Sequence, residues 1–306
     1  MGGAAADPGE AAREVSDAVP GGPHRMQIGL REQPLEAWIP DQWDFDEQLA
    51  EHGRLLDTRD DVLAARAGSE AASAELLEIL VEHLPRAFPG RYQRAGERIR
   101  VVPLDRELPA APSAGAALEV AARLVPDDLC VMEADPQGTY RLTAAAVCFP
   151  TRWRLAPKMG ESLVAIHGPV PGYAERLGTG VDRVFASLAP GRVLARSNWS
   201  LVDSPALYQP VRAMDDRGVP FEPEHLGERL WVRSERQSVR RLPRTGAVVF
   251  TIRIRQVTLA EACRYEGVAA RLGVQLATIP EPLAAYKGIP RIRAALERYL
   301  ETAATS

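Results

Sequence analysis

Apolar positions recur at helical spacing towards both ends of the chain and alternate in pairs through its middle, which separates helices from strands before any motif is considered. Leu76, Leu77, Leu80 and Leu84 share one helical face, and Pro85 follows where a helix would stop, so residues 69–84 are expected to be a helix. Residues 129–135 and 139–149 flank Pro136-Gln137-Gly138, with Asp135 and Pro136 opening a tight turn, and predict a hairpin. In its second strand Tyr140, Leu142, Ala144, Ala146 and Cys148 are placed on one face, where small side chains leave room for a flat group.

Thr179 is placed to cap a helix carrying Val181, Val184, Phe185 and Leu188, closed by Pro190-Gly191. Residues 193–201 and 229–235 read as strands. Residues 247–255 give the strongest strand, with Val248, Phe250, Ile252 and Ile254 alternating against Thr251, Arg253 and Arg255, whose face is expected to be wet or salt-bridged. Thr258 and Glu261 form a capping box for a helix that Gly273 can end, and Ile292, Ala295, Leu296 and Tyr299 mark a last amphipathic helix. Residues 26–66, with Trp38 and Trp43 around Pro40, read as an irregular docked segment, and LPAAPSAGA as a surface loop. Together these elements predict an α+β domain on an antiparallel sheet with flanking helices.

Composition refines this picture. The 306 residues, 46% of them hydrophobic, are expected to form one domain over 26–301 behind a disordered, Gly- and Pro-rich tail at 1–25. A net charge of −4 from 37 basic and 41 acidic residues lacks the basic footprint of a nucleic-acid binder. Cys130, Cys148 and Cys263 are too scattered to form a disulfide framework or a zinc site by spacing, which favours a reducing cytoplasm. No apolar run reaches the roughly 18 residues a membrane-spanning helix needs.

The common catalytic motifs are missing, and GTGVDR fails as a dinucleotide fingerprint because Arg183 replaces the third glycine. Of the five histidines, His167 stands out. It ends the apolar run in LVAIHGPVPGY, where prolines and glycines on one side and a buried strand on the other would fix its ring as a metal ligand requires; the plainer reading is a buried histidine bonded to a carbonyl. Residues 233–253 cluster arginines around one carboxylate, Glu235, and guanidinium forks suit paired carboxylates unless they are simply solvated. Residues 148–163 bring Arg152, Trp153, Arg154 and Lys158 into a loop that is a pocket rim or a cover for a sheet edge.

The segments VCFPTRW, IHGPVP and ERQSVRRLPRTGAVVFTIR, with DLCVME before them and SNWSL between, are colinear across residues 38–296. They resemble the sequence blocks of the haem-dependent oxidative N-demethylase family. The resemblance implies a PAS-like domain with extra N- and C-terminal helices that binds haem b. It also implies dioxygen as oxidant, electrons from a separate flavin and iron–sulfur reductase, and a small methylated amine of the dimethylamine kind that is split to formaldehyde and the shorter amine. On this reading His167 is the proximal iron ligand, with Cys148 as the alternative. Arg240 and Arg241, then Arg152 and Lys158, would hold the propionates. Glu235 would bind the protonated amine or else pair with Arg236 or Arg240, and Trp153 and Trp199 would pack on the macrocycle or in the core. The competing function is a haem-PAS sensor of oxygen or nitric oxide without catalysis.

Overall fold

From the N-terminus a computed structural model, which describes residues 8–40, 44–211 and 223–305, runs through α1 (Pro8–Asp17), β1 (Arg31–Gln33), α2 (Phe45–Thr58), β2 (Leu63–Ala65) and α3 (Glu70–Ala87). A small sheet of β3 (Tyr92–Ala95), β4 (Arg98–Val101) and β5 (Arg106–Pro109) and the short α4 (Ala117–Ala122) lead to the hairpin β6 (Asp128–Ala134) and β7 (Tyr140–Ala146). Next come α5 (Leu163–Ile166), α6 (Thr179–Ser187), β8 (Val193–Val202) and α7 (Pro223–Arg229). The two longest strands, β9 (Trp231–Arg241) and β10 (Val248–Thr258), precede α8 (Leu259–Cys263), α9 (Val268–Thr278), α10 (Glu281–Lys287) and α11 (Arg293–Thr305). Trp43 lies outside the described residues.

Seven strands form one sheet in the order β1-β8-β9-β10-β6-β7-β2, every neighbouring pair antiparallel, so the α+β expectation holds. Side-chain alternation gives this sheet two different faces. On the back, Val131, Ala144, Ala146 and Val249 meet α3 and α4, while Val232, Leu201 and Val257 meet the helices of the C-terminal end. Between these two apolar regions runs a polar belt: Arg253 is fully buried and donates to Asp44 at 2.8 Å, and Ser238 and Thr251 hydroxyls share a 2.6 Å bond. The polar face of β10 is therefore salt-bridged and dry. On the front, Cys130, Met132, Leu142, Ala145, Val239 and Val248 pack under α5, α6 and the loops around them. Phe250 and Ile252 lie on the central strand of that face and are only half-buried.

Several expectations are corrected. The expected disordered tail contains α1; its Val15, and Val19 just beyond it, are fully buried. Residues 45–58 are helical rather than irregular. Pro85 sits inside α3, in its last turn, where its missing N–H leaves only one carbonyl without its helical donor. Thr179 caps nothing, because a π-helical turn at Ala174–Gly178 runs straight into α6. The capping box of Thr258 and Glu261 is present, but α8 ends at Cys263 and Gly273 lies within α9. A register shift between Val131 and Met132 splits the face assigned to β7: Leu142 and Ala145 look forward, Ala144 and Ala146 back.

Candidate functional site

The front face is completed by one helical turn and its cap. Ser162 opens α5 by accepting from the Ala165 N–H at 3.3 Å, and His167 closes it, so helix stands where a strand was expected before the histidine. The backbone N–H of His167 reaches the Leu163 carbonyl at 3.1 Å, and Nδ1 lies 2.8 Å from the same oxygen. A carbonyl only accepts, so Nδ1 carries the proton and Nε2 keeps its lone pair. Tyr173 stacks on the ring at 4.2 Å and 8°, which fixes its plane. Nε2 bonds to no described residue. The two sequence readings of His167 are thus compatible: one nitrogen takes a carbonyl and the other is left for a ligand. Burial lowers the imidazole pKa, with Arg196 and Lys158 adding to the effect and the Leu163 carbonyl and Glu235 opposing it.

Glu235 projects from β9 on the same face, between Asn198 of β8 and Ile254 of β10 in register. Gln237 donates to it at 2.9 Å, and the Gln237 carbonyl oxygen in turn accepts from Arg196 Nε at 2.8 Å. This chain links an arginine, an amide and a carboxylate beside His167. The expected pairing of Glu235 with Arg236 or Arg240 is not formed, because strand alternation turns both to the back. Arg236 donates to the Ala37 and Trp38 carbonyls at 2.6 and 3.2 Å, and Arg240 lies 4.5 Å over the Trp38 ring. The structure therefore does not bring Arg240 to His167.

Arg241 does face forward, but it is occupied. It donates to the Leu188 carbonyl at 2.6 Å, the Gly246 carbonyl at 2.5 Å, the Tyr140 hydroxyl at 2.7 Å and the Phe185 carbonyl, which pins the end of α6 to the sheet. Lys158 donates to the Ile166 carbonyl at 2.6 Å and holds the last turn of α5. Arg152, at φ 62°, donates to the Lys287 and Leu201 carbonyls at 2.9 and 2.7 Å. Trp153 packs against the front cluster, whereas Trp199 is buried in the back.

Two cations escaped the sequence reading. Arg196 of β8 also donates to the Gln27 and Ile28 carbonyls at 3.1 Å each, and burial lowers its pKa. Lys287 of α10 donates to the Trp199 carbonyl at 2.9 Å; burial pulls its pKa down to about 8, against the pull of Glu235 and with the help of Arg152. Neither sits in a recognisable motif. Cys148 is corrected as a ligand for this site: it packs with Leu55, Val62, Phe149 and Ile254, its Sγ lies 3.8 Å from the His52 carbonyl, and burial pushes its thiol pKa well up.

A half-buried apolar floor, an imidazole with one free nitrogen and the cations Arg196 and Lys287 nearby fit a flat, metal-centred cofactor with an anionic edge. The chain matches the family described as haem-dependent oxidative N-demethylase, alpha subunit-like, over residues 29–297, and it belongs to that family. No helix among the described residues is long and apolar enough to cross a membrane.

Proposed function

We propose that the front face binds haem b, with His167 Nε2 as the iron ligand, and that the protein oxidatively demethylates a small methylated amine. Haem, when bound, supplies the activation of dioxygen and the oxidation of an N-methyl group, with electrons from a flavin and iron–sulfur reductase; the products are formaldehyde and the shorter amine. The observation that carries the reading is His167, whose Nδ1 is fixed on the Leu163 carbonyl while Nε2 has no partner among the described residues. Membership of the family supports the chemistry.

Each nearby side chain has a distinct task. Arg196, Arg152 and Lys158 supply positive charge for the propionates. Glu235 attracts and orients the ammonium of the substrate, and Gln237 holds that carboxylate in place through its 2.9 Å bond. Phe250 and Ile252, half-buried on the same face, provide an apolar floor that the bound cofactor would cover. The PAS-like reading is supported by a seven-stranded antiparallel sheet whose helical connection, α5 and α6, crosses one face. One domain, extended beyond 26–301 to include α1, and a cytoplasmic setting complete the proposal, the latter in keeping with three free cysteines.

Purified protein should show a haem absorption band that His167→Ala abolishes and that His167→Gly regains on addition of imidazole. Retention of haem by His167→Ala without imidazole would remove the ligand assignment. Formaldehyde release from methylated amines, supplied with reductase, tests the reaction itself.

A further inference from the structure

At the foot of the β6–β7 hairpin, partly within the sequence segments that carry the haem proposal but apart from His167, three potential metal ligands meet in the core. His52 comes from α2, Asp128 opens β6 and Cys148 follows β7. All three are buried to 1% exposure or less, and their ligand atoms lie within 4.8 Å of one another. We propose that they hold a divalent cation of the zinc class, separate from the haem iron.

The geometry favours an ion over a simple hydrogen bond. His52 Nε2 and Asp128 Oδ1 are 3.5 Å apart, too far for a good N–H···O bond. Two ligands at about 2.1 Å on a tetrahedral ion are separated by about 3.4 Å. From a separation of at most 4.8 Å, the thiolate needs to close by no more than about 1.2 Å to complete three ligands at zinc distances. Neither ring nitrogen of His52 bonds to a described residue, although the ring is fully buried and held edge-on to Phe149 at 5.3 Å and 90°. An imidazole sealed in the core with both nitrogens unpaired calls for an ion or a water.

The surroundings also match. Asp128 Oδ1 accepts the backbone N–H groups of Cys148 at 2.7 Å and Phe149 at 3.0 Å, so the segment carrying the sulfur orients the carboxylate. A dication with one carboxylate, one thiolate and a neutral imidazole sums to zero charge, which the apolar shell of Leu55, Val62, Phe149 and Ile254 can accept. Thiolate and imidazole together disfavour calcium and magnesium and favour zinc, with water in the fourth position. The ion ties α2 to the hairpin.

The test uses the full-length, haem-loaded protein, purified without immobilised metal and dialysed. Zinc and iron are measured by mass spectrometry and haem by its pyridine complex. Iron equal to haem, and about one zinc per chain, is the expected result, with zinc lost and haem kept in His52→Ala and Cys148→Ser. Zinc-edge X-ray absorption of the unaltered protein should find one sulfur among nitrogen and oxygen neighbours, a readout that stands if a variant fails to fold. Absence of stoichiometric zinc, with no uptake on titration with zinc sulfate, overturns the proposal; so does a zinc shell without sulfur or zinc retained by both variants. The zinc result is independent of whether haem binds at His167.

Discussion

On the proposed reading, Glu235 and Lys287 make opposite demands on the charged amine. Replacing Glu235 by Gln removes a charge-assisted contact of about 1.5–3 kcal/mol, which predicts a KM for the amine raised by roughly 10-fold or more with haem content unchanged. Lys287 adds a pH dependence with a definite sign. Its pKa lies at about 8, so below that pH it is a cation competing with the substrate for Glu235, and above it the charge is gone. KM is therefore expected to fall as pH rises through about 8 while the amine is still protonated, and Lys287→Met should flatten that step; an unchanged step in the variant would exclude Lys287 as its source. The charged groups known to bear on Lys287 are Glu235, opposing its loss of proton, and Arg152, favouring it. At this scale the sequence was informative wherever a residue broke its local pattern: His167 in a Pro- and Gly-rich turn, Glu235 alone among arginines. Arg196 and Lys287 arrive from β8 and α10 and break no pattern. Arg240 was grouped with Glu235 because the strand was read only over 229–235; in one continuous strand to Arg241, positions 235 and 240 must face opposite ways.

The site depends on how α5 and α6 are fastened to the sheet, and Arg241 is a principal fastener. Its guanidinium reaches the Leu188 and Phe185 carbonyls at the end of α6, the Gly246 carbonyl beyond β9 and the Tyr140 hydroxyl on β7. Arg241→Met keeps the stem but leaves those acceptors without their donor, at an expected cost of about 2–4 kcal/mol of stability. Thermal melting should register the loss, and haem should transfer faster to an acceptor apoprotein while its absorption band keeps its position. An unchanged melting temperature would mean that α6 is held by its apolar face alone. Elements with local signals were legible: the β6–β7 hairpin through its turn, β10 through its alternation, α8 through its capping box. Pro85 and Gly273 misled because the packing of α3 and α9 outweighs one poor residue in each helix. The register shift opposite Val131 could not be seen, since an extra residue in a strand leaves the apolar count intact while exchanging the faces beyond it. The His52, Asp128 and Cys148 cluster was invisible for a similar reason: its members sit on three elements and share no spacing.

Across the whole molecule the two faces of the sheet do different work, the back storing stability and the front being left partly uncovered. α1 belongs to the back. Val15 and Val19 are fully buried among residues of the C-terminal helices, Ser16 donates to the Ala12 carbonyl, and Glu14 pairs with Arg255 at the end of the polar belt. The low-complexity sequence before residue 26 hid this, because its apolar positions are few and small and only the partner surface makes them valuable. Two buried valines are worth about 1.5–3 kcal/mol each, an upper estimate because the unfolded chain already hides part of that surface. Burial pulls the Arg255 pKa down to about 10, with Glu14 the leading charge acting against that shift, so losing the carboxylate leaves a buried cation poorly compensated. Deleting residues 1–19 is thus expected to lower stability by about 3–6 kcal/mol in denaturant unfolding. The same truncation should leave the haem spectrum and the amine KM unchanged, because the apolar side chains described among the deleted residues, Ala12, Val15 and Val19, pack on the back. A shortened protein with full stability would show that α1 contributes no net binding to the back, and one that loses its haem while still folded would show that the two faces are coupled through the sheet.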